Sequence, residues 1–333
     1  MSLYLRFSLL ILLCAGLTLG LVGCGSDSTN KVAFLTQTAD GNSAQINIMK
    51  NDGTQVTPVG QPGEYYSAAL SNNGSHIAVN YWDDNGGEIA VMKVDGTGLK
   101  VLNTTDNTDN YEPVFWPGDK KVLYRSYRPD YADLILVKTD GTGEVNLTNT
   151  QNLCFHSPAV SPDGKKIVAE AHGDVDGTYV DTLFILNADG SNLKMLTQGD
   201  DYLPSFSPDG KHIVFTRYDD TGDNIYIMKV DGTDIKALTT TGADWDPIFV
   251  GNKILFVSDR DDPSSTESAL KNKASARSKR DEMDRIHAKD RHAARTNEAT
   301  SQSYVEIYSM DPDGTHQTRL TNNTVADVFI AED

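Results

Sequence analysis

The side chains able to do chemistry recur in one setting, a ring, usually beside an acid, at the entry to an apolar run. Five such entries can be read: Glu64, Tyr65 and Tyr66; Asp109, Tyr111 and Glu112; Phe155 and His156; Asp200, Asp201 and Tyr202; and Asp244, Trp245 and Asp246. Rings supply rigid contact area and carboxylates steer an incoming cation, so the set suits capture of a cationic peptide segment. Solvated loop acids and rings that plug a channel would look the same. From these entries Tyr66, Tyr111, Glu112, His156, Asp201, Tyr202, Trp245 and Asp246 are the candidate ligand-binding residues.

Other chemistries find less support. Converging carboxylates can hold Ca2+, but Asp174-Val175-Asp176-Gly177 and Asp219-Asp220 lack the EF-hand loop pattern and its distal Glu. No cofactor is expected, with Ca2+ left as an option. There is no HExxH or CxxC for zinc, and the seven His residues show no ligand spacing. A G-x-S-x-G nucleophile is absent. Cys154 and His156 would share one face of a strand, which makes them the Cys/His pair to inspect, although a small buried Cys beside a hydrogen-bonded His explains them equally. No catalytic and no metal-ligating residue is assigned.

The elements that must position these residues are written several times over. In PSFSPDGKHIVFTRYDDTGDNIYIMKVDGTDIKALT, from Pro204 onward, Ser207-Pro208-Asp209-Gly210 turns one hairpin and Asp231-Gly232 another. A polar loop from Tyr218 to Asp223 joins them, so the unit is a four-stranded antiparallel meander. Asp-Gly turns follow apolar runs at Asp52, Asp95, Asp140, Asp189, Asp231 and Asp313, at spacings of 43, 45, 49, 42 and 82 residues. The last spacing becomes about one period once the charged insertion 261–303 is removed. Four-strand units at this period predict an all-β, six-bladed β-propeller over 31–333, with the run Val325 to Ala331 closing the ring against the N-terminal blade. Because strands alternate in direction, the second-to-third-strand loops share one end of the ring with the ring-and-acid entries. Function is expected there.

The patterns SPDGK…I.F.R and IY.M..DGT…LT resemble the PD40, or TolB-like, propeller repeat, and the resemblance covers nearly all of 31–333 apart from the insertion. It extends to the propeller alone, since TolB carries a separate α/β domain ahead of it and here Val32 enters a blade directly. Prolyl-oligopeptidase-like enzymes and oligogalacturonate lyases use related propellers. The resemblance therefore implies a non-catalytic protein-binding propeller, with a metal-assisted lyase or a carbohydrate-binding propeller as alternatives.

Arg6 precedes an apolar run that continues to Val22, and Leu21-Val22-Gly23-Cys24 resembles a bacterial lipobox. That implies a signal peptide over 1–23, lipidation at Cys24, a tether over 24–30 and attachment in the cell envelope. The residue after Cys24 is Gly rather than Asp, which points to the outer membrane facing the periplasm. Cys154 would then be the one thiol left in the mature chain, and packing must hold the fold without a disulfide. With a net charge of −18, nucleic acid is an unsuitable partner; a protein or peptide partner and a monomeric chain are expected. Charge is uneven, however: 271–295 holds nine Lys/Arg against four Asp/Glu, so the insertion could dock on the acidic end as a lid or recruit an acidic partner.

Overall fold

The computed structural model describes residues 30–38, 43–83, 86–102, 108–128, 131–150, 152–261 and 305–322. Six sheets follow one another along the chain. Blade 1 holds β1 (Lys31–Gln37), β2 (Ala44–Lys50) and β3 (Thr57–Gly63). Blade 2 holds β4 (Tyr65–Leu70), β5 (His76–Asp83), β6 (Gly86–Lys93) and β7 (Lys100–Val101). Blade 3 holds β8 (Asp109–Phe115), β9 (Lys121–Arg128), β10 (Tyr131–Lys138) and β11 (Val145–Asn146). Blade 4 holds β12 (Leu153–Val160), β13 (Lys166–Val175), β14 (Thr178–Asn187) and β15 (Lys194–Met195). Blade 5 holds β16 (Asp200–Phe206), β17 (His212–Asp219), β18 (Gly222–Lys229) and β19 (Lys236–Ala237). Blade 6 holds β20 (Asp244–Val250), β21 (Lys253–Ser258), β22 (Glu306–Met310) and β23 (Thr318–Arg319). Every pairing between these strands is antiparallel, so the chain is the expected six-bladed propeller of four-stranded blades, with three strands described in blade 1. The run 325–331, the signal segment 1–23, most of the tether and 262–304 lie outside the described residues.

Burial explains why the strands do not alternate cleanly. The interior of β9, from Val122 to Tyr127, is buried throughout, because one sheet face packs on the preceding blade and the other on the next. Ala78, Ile89 and Val91 of blade 2 pack with Phe115, Val122 and Tyr124 of blade 3. The same kind of contact joins the two ends of the chain: Val32, Phe34 and Met49 of blade 1 pack against Trp245, Leu255, Val257 and Ile307 of blade 6. Asn51 Nδ2 also donates to the Val250 carbonyl at 3.0 Å. Side-to-side packing thus brings the first blade to the last.

The outer turns show why Asp-Gly-Thr recurs. In blade 5, Asp231 Oδ1 accepts from the Thr233 backbone N–H at 3.0 Å and from its hydroxyl at 2.6 Å. Asp52, Asp95, Asp140, Asp189 and Asp313 make the same two bonds to the Thr or Ser two residues on. The Gly must be Gly for two reasons. Gly190 has φ +84°, and a Cβ there would lie 2.1 Å from the Leu147 carbonyl oxygen of the preceding blade. Gly53 stands in the same relation to Leu320, so the turn series seals blade 1 onto blade 6 as well.

These turns predict an acid response. The hydroxyl first, and the backbone N–H second, hold the carboxyls of Asp52, Asp95, Asp140, Asp189, Asp231 and Asp313 below their usual range. A carboxyl lowered in the folded state contributes stability above its unfolded value near 3.8 and loses it as pH falls through the lower folded value. Thermal melts from pH 6 downward should therefore be flat until about pH 5 and fall below about pH 4. Replacing the Thr or Ser hydroxyls by Val or Ala in several turns should shrink that fall. An unchanged acid profile would refute the assignment.

Blade 6 carries the insertion between β21 and β22, whose ends remain in register with Ser258 opposite Glu306. Because the chain leaves and re-enters at adjacent strand ends, deleting 264–300 and closing the gap with a short Gly-rich turn should leave the propeller folded. The expected melting shift is less than about 4 °C, the equivalent of roughly 1 kcal/mol in a domain of this size. Loss of the cooperative transition would show that the segment is needed for blade 6.

Candidate functional site on the inner strands

The sequence placed the ring-and-acid residues in loops leading into the first strand of each blade. They lie within those strands instead: Tyr66 in β4, Tyr111 and Glu112 in β8, His156 in β12, Asp201 and Tyr202 in β16, Trp245 and Asp246 in β20. The reason is a bulge repeated around the ring. Register shifts between Tyr111 and Val114, His156 and Ala159, Tyr202 and Ser205, and Trp245 and Ile248, so two residues on the inner strand face one on its neighbour. The first bulged residue is Glu112, Ser157, Leu203 or Asp246, at φ 53°, 45°, 50° and 54°, and each precedes a Pro that has no N–H for the ladder. An x-Pro inside an apolar run was the available signal for this. Blade 2 has the shift without the Pro, between Tyr65 and Ser67.

Counting back from the equivalent pairs Leu70↔Ile77, Phe115↔Val122, Val160↔Ile167, Phe206↔Ile213 and Phe249↔Ile254 gives one ring-bearing position. Tyr66, Tyr111, His156, Tyr202 and Trp245 all stand there, four residues earlier. Tyr66 is half-buried, whereas Tyr111, His156, Tyr202 and Trp245 are buried, as are Glu112, Asp201 and Asp246. The set presents edges to solvent, not a ring of open side chains.

The carboxylates divide by what holds them. Asp201, fully buried, accepts from Arg217 Nε at 2.6 Å and Nη2 at 2.8 Å. At the equivalent place in blade 6, Asp244 accepts from Arg260 Nη2 at 2.6 Å. Glu112 accepts from the Ser157 N–H of the next blade at 2.6 Å, with Arg125 Nε 3.7 Å away. Tyr202 donates its hydroxyl to Asp223. Asp174 and Asp219, considered for Ca2+, accept turn N–H groups, from Gly177 at 2.9 Å and Thr221 at 2.8 Å. Among the described residues no group of three or more His, Cys, Asp or Glu is arranged to hold a metal.

Trp82, Arg125 and His172, none singled out by the sequence, join the ring positions of blades 2, 3 and 4 into a continuous wall. Trp82 lies 6.2 Å from the Tyr66 ring and 6.3 Å from that of Tyr111, centre to centre. The Arg125 guanidinium, fully buried, lies 4.7 Å from the Tyr111 ring centre and donates through Nη1 to His156 Nδ1. A guanidinium can only donate, so Nδ1 of His156 carries a lone pair. His156 stacks on His172 at 4.9 Å, and His172 pairs across the strands with Cys154. Of the Cys/His pair singled out in the sequence, Cys154 faces His172 across the strands and His156 has one nitrogen committed to Arg125. Trp82 and His172 fall in the second-to-third-strand stretches where function was expected, whereas nothing in the sequence pattern marks Arg125, which lies inside an apolar run.

No family model matches the chain, and no curated protein matches it. Solved structures do. A putative TolB from Agrobacterium tumefaciens is 19% identical, with 82% of this chain and 87% of that one covered and a TM-score of 0.57. TolB from Acinetobacter baumannii is also 19% identical, over 65% of this chain and 52% of that one, at a TM-score of 0.53. An oligogalacturonate lyase from Vibrio parahaemolyticus is 13% identical, over 92% and 78%, at a TM-score of 0.56. At these identities the likeness is one of fold, and the fold is the TolB-like six-bladed propeller.

Proposed function

We propose that the chain is a non-catalytic interaction propeller of the bacterial cell envelope, anchored through lipid at Cys24, which receives a basic peptide segment of a protein partner. The segment enters at the end where the inner strands begin. The observation that carries the reading is the single inner-strand position occupied by Tyr66, Tyr111, His156, Tyr202 and Trp245 in successive blades. Packing alone requires apolar groups there and not a ring in five successive blades, whereas aromatic anchors are what peptide recognition uses. A charge of −18 favours a basic partner and raises the rate at which it arrives.

The test is site-specific photocrosslinking in intact cells. A benzoylphenylalanine at Tyr66 should give a discrete adduct, weakened by added salt, while one at the exposed Lys165, in the turn at the opposite end, should give none. Equal adducts from both sites, or none from Tyr66, would remove the reading. Cys24→Ala should move the protein from the membrane to the soluble envelope fraction; unchanged membrane retention would refute the anchor.

A further inference from the structure

The junction of blades 2 and 3 contains oxygens with nothing to accept from. Ser67 Oγ, Asn80 Oδ1 and Asn110 Oδ1 are buried and, among the described residues, have no hydrogen-bond partner. Both amides are fixed in orientation by their nitrogens. Asn80 Nδ2 donates to the Asn110 carbonyl, and Asn110 Nδ2 donates to the carbonyls of Gly87 at 3.1 Å and Thr108 at 3.0 Å. Turning either amide would lose those bonds, so the oxygens remain as acceptors. Ser67 pairs with Asn80 across the strands, and Asn80 Nδ2 bonds the Asn110 carbonyl, so the three residues are neighbours. Buried acceptors left open are rare and call for a donor.

The repeat itself shows what fits. Counted from Leu70↔Ile77 and Phe115↔Val122, Ser67 and Asn80 occupy in blade 2 the positions that Glu112 and Arg125 occupy in blade 3. There the Arg125 guanidinium sits 4.7 Å from the ring centre of Tyr111 and reaches the inner strand of the next blade. Blade 2 keeps the ring, Tyr66, and a reach to the inner strand of the next blade through Asn80, but has no built-in cation. The adjoining rings Tyr66 and Trp82 are half-buried, the most open groups beside the three oxygens.

We propose that this junction is a cation subsite: it takes a guanidinium or primary ammonium group of the ligand in the place that Arg125 fills in blade 3. Ring faces attract a desolvated cation, and the three oxygens accept its N–H groups. None of the three open oxygens is a carboxylate, and the nearby Asp109 carboxylate accepts from the Gly87 N–H at 3.4 Å, which suits a singly charged organic cation better than Ca2+. This deepens the peptide-binding reading and rests on it, since the subsite would hold one Lys or Arg side chain of the partner.

The probes are methylguanidinium chloride and methylammonium chloride, titrated into the full chain and followed by the tryptophan and amide resonances of blade 2, with sodium chloride at equal ionic strength as the third arm. Saturable shifts with one or both organic cations and none with sodium are expected, and the stronger of the two identifies the partner side chain. Asn80→Arg, with Ser67→Glu, copies blade 3 and fills the subsite from within; it should weaken probe binding by more than about tenfold. Asn80→Leu, which removes the acceptor without supplying a cation, should do the same and guards against misfolding of the first variant. Unchanged probe binding in both variants, no saturable shift, or an equal response to sodium would overturn the proposal. A persistent Tyr66 crosslink beside absent probe binding would sink the subsite and leave the peptide reading standing; loss of the crosslink with probe binding intact would do the reverse.

Discussion

Arg125→Met should lower the unfolding free energy by about 3–5 kcal/mol, read from urea denaturation. Arg125 has no solvent exposure and touches three groups at the junction of blades 3 and 4: the Tyr111 ring, the Glu112 carboxylate and His156 Nδ1. Met fills much of the same volume, so the loss is electrostatic more than steric. It leaves the Glu112 carboxylate buried with one strong donor, the Ser157 N–H at 2.6 Å. Adding Glu112→Gln to Arg125→Met should recover a sizeable part of the loss, because the uncompensated charge is then gone and an amide oxygen still faces Ser157. If the double variant is as unstable as the sum of the singles, the cost lies in lost packing and not in a stranded charge. Crosslinking at Tyr66 supplies a second readout: a variant that folds at low temperature yet loses the adduct would tie Arg125 to the shape of the wall as well as to stability.

The propeller was legible because its information is local. Ser-Pro-Asp-Gly and Asp-Gly-Thr fix turns through a positive φ and an acceptor two residues from its donor, and such signals survive in a single sequence. The rings were legible as repeated ring-and-acid entries to apolar runs, although the x-Pro that follows Tyr111, His156, Tyr202 and Trp245, and puts them inside a bulged strand, went unread. What could not be read was the partner of each acid. Asp201 and Asp246 look alike as entry carboxylates, but Asp201 meets Arg217 from sixteen residues away through a strand pairing, while Asp246 takes the bulge and presents its N–H to Thr216 Oγ1 at 3.1 Å. Local sequence fixes a turn; which charge faces which depends on register one strand over. Arg125 illustrates the limit most clearly, a cation inside an apolar run whose counterparts lie on an inner strand and in the next blade.

Asp201 therefore calls for an experiment that separates a binding acid from a structural one. Its carboxylate is fully buried and held in a bidentate grip by Arg217, whose own side chain is about one-fifth exposed and lies 4.9 Å from the Tyr226 ring centre. The two halves of the pair should fail unequally. Arg217→Met strands a buried carboxylate and should cost about 3–5 kcal/mol, whereas Asp201→Asn leaves an arginine that can turn toward water and should cost about 1–3 kcal/mol. Combining Asp201→Asn with Arg217→Met should return at least half of the larger loss, because neither remaining group is charged. If Asp201 is instead a steering acid, the single variant Asp201→Asn will leave unfolding unchanged and slow partner capture in a salt-dependent way. The paired geometry predicts the opposite pattern, with stability lost and the salt dependence of capture kept, since a carboxylate neutralised by its own guanidinium contributes little field at the channel end. Denaturation curves and crosslinking yields on the same three variants decide between them.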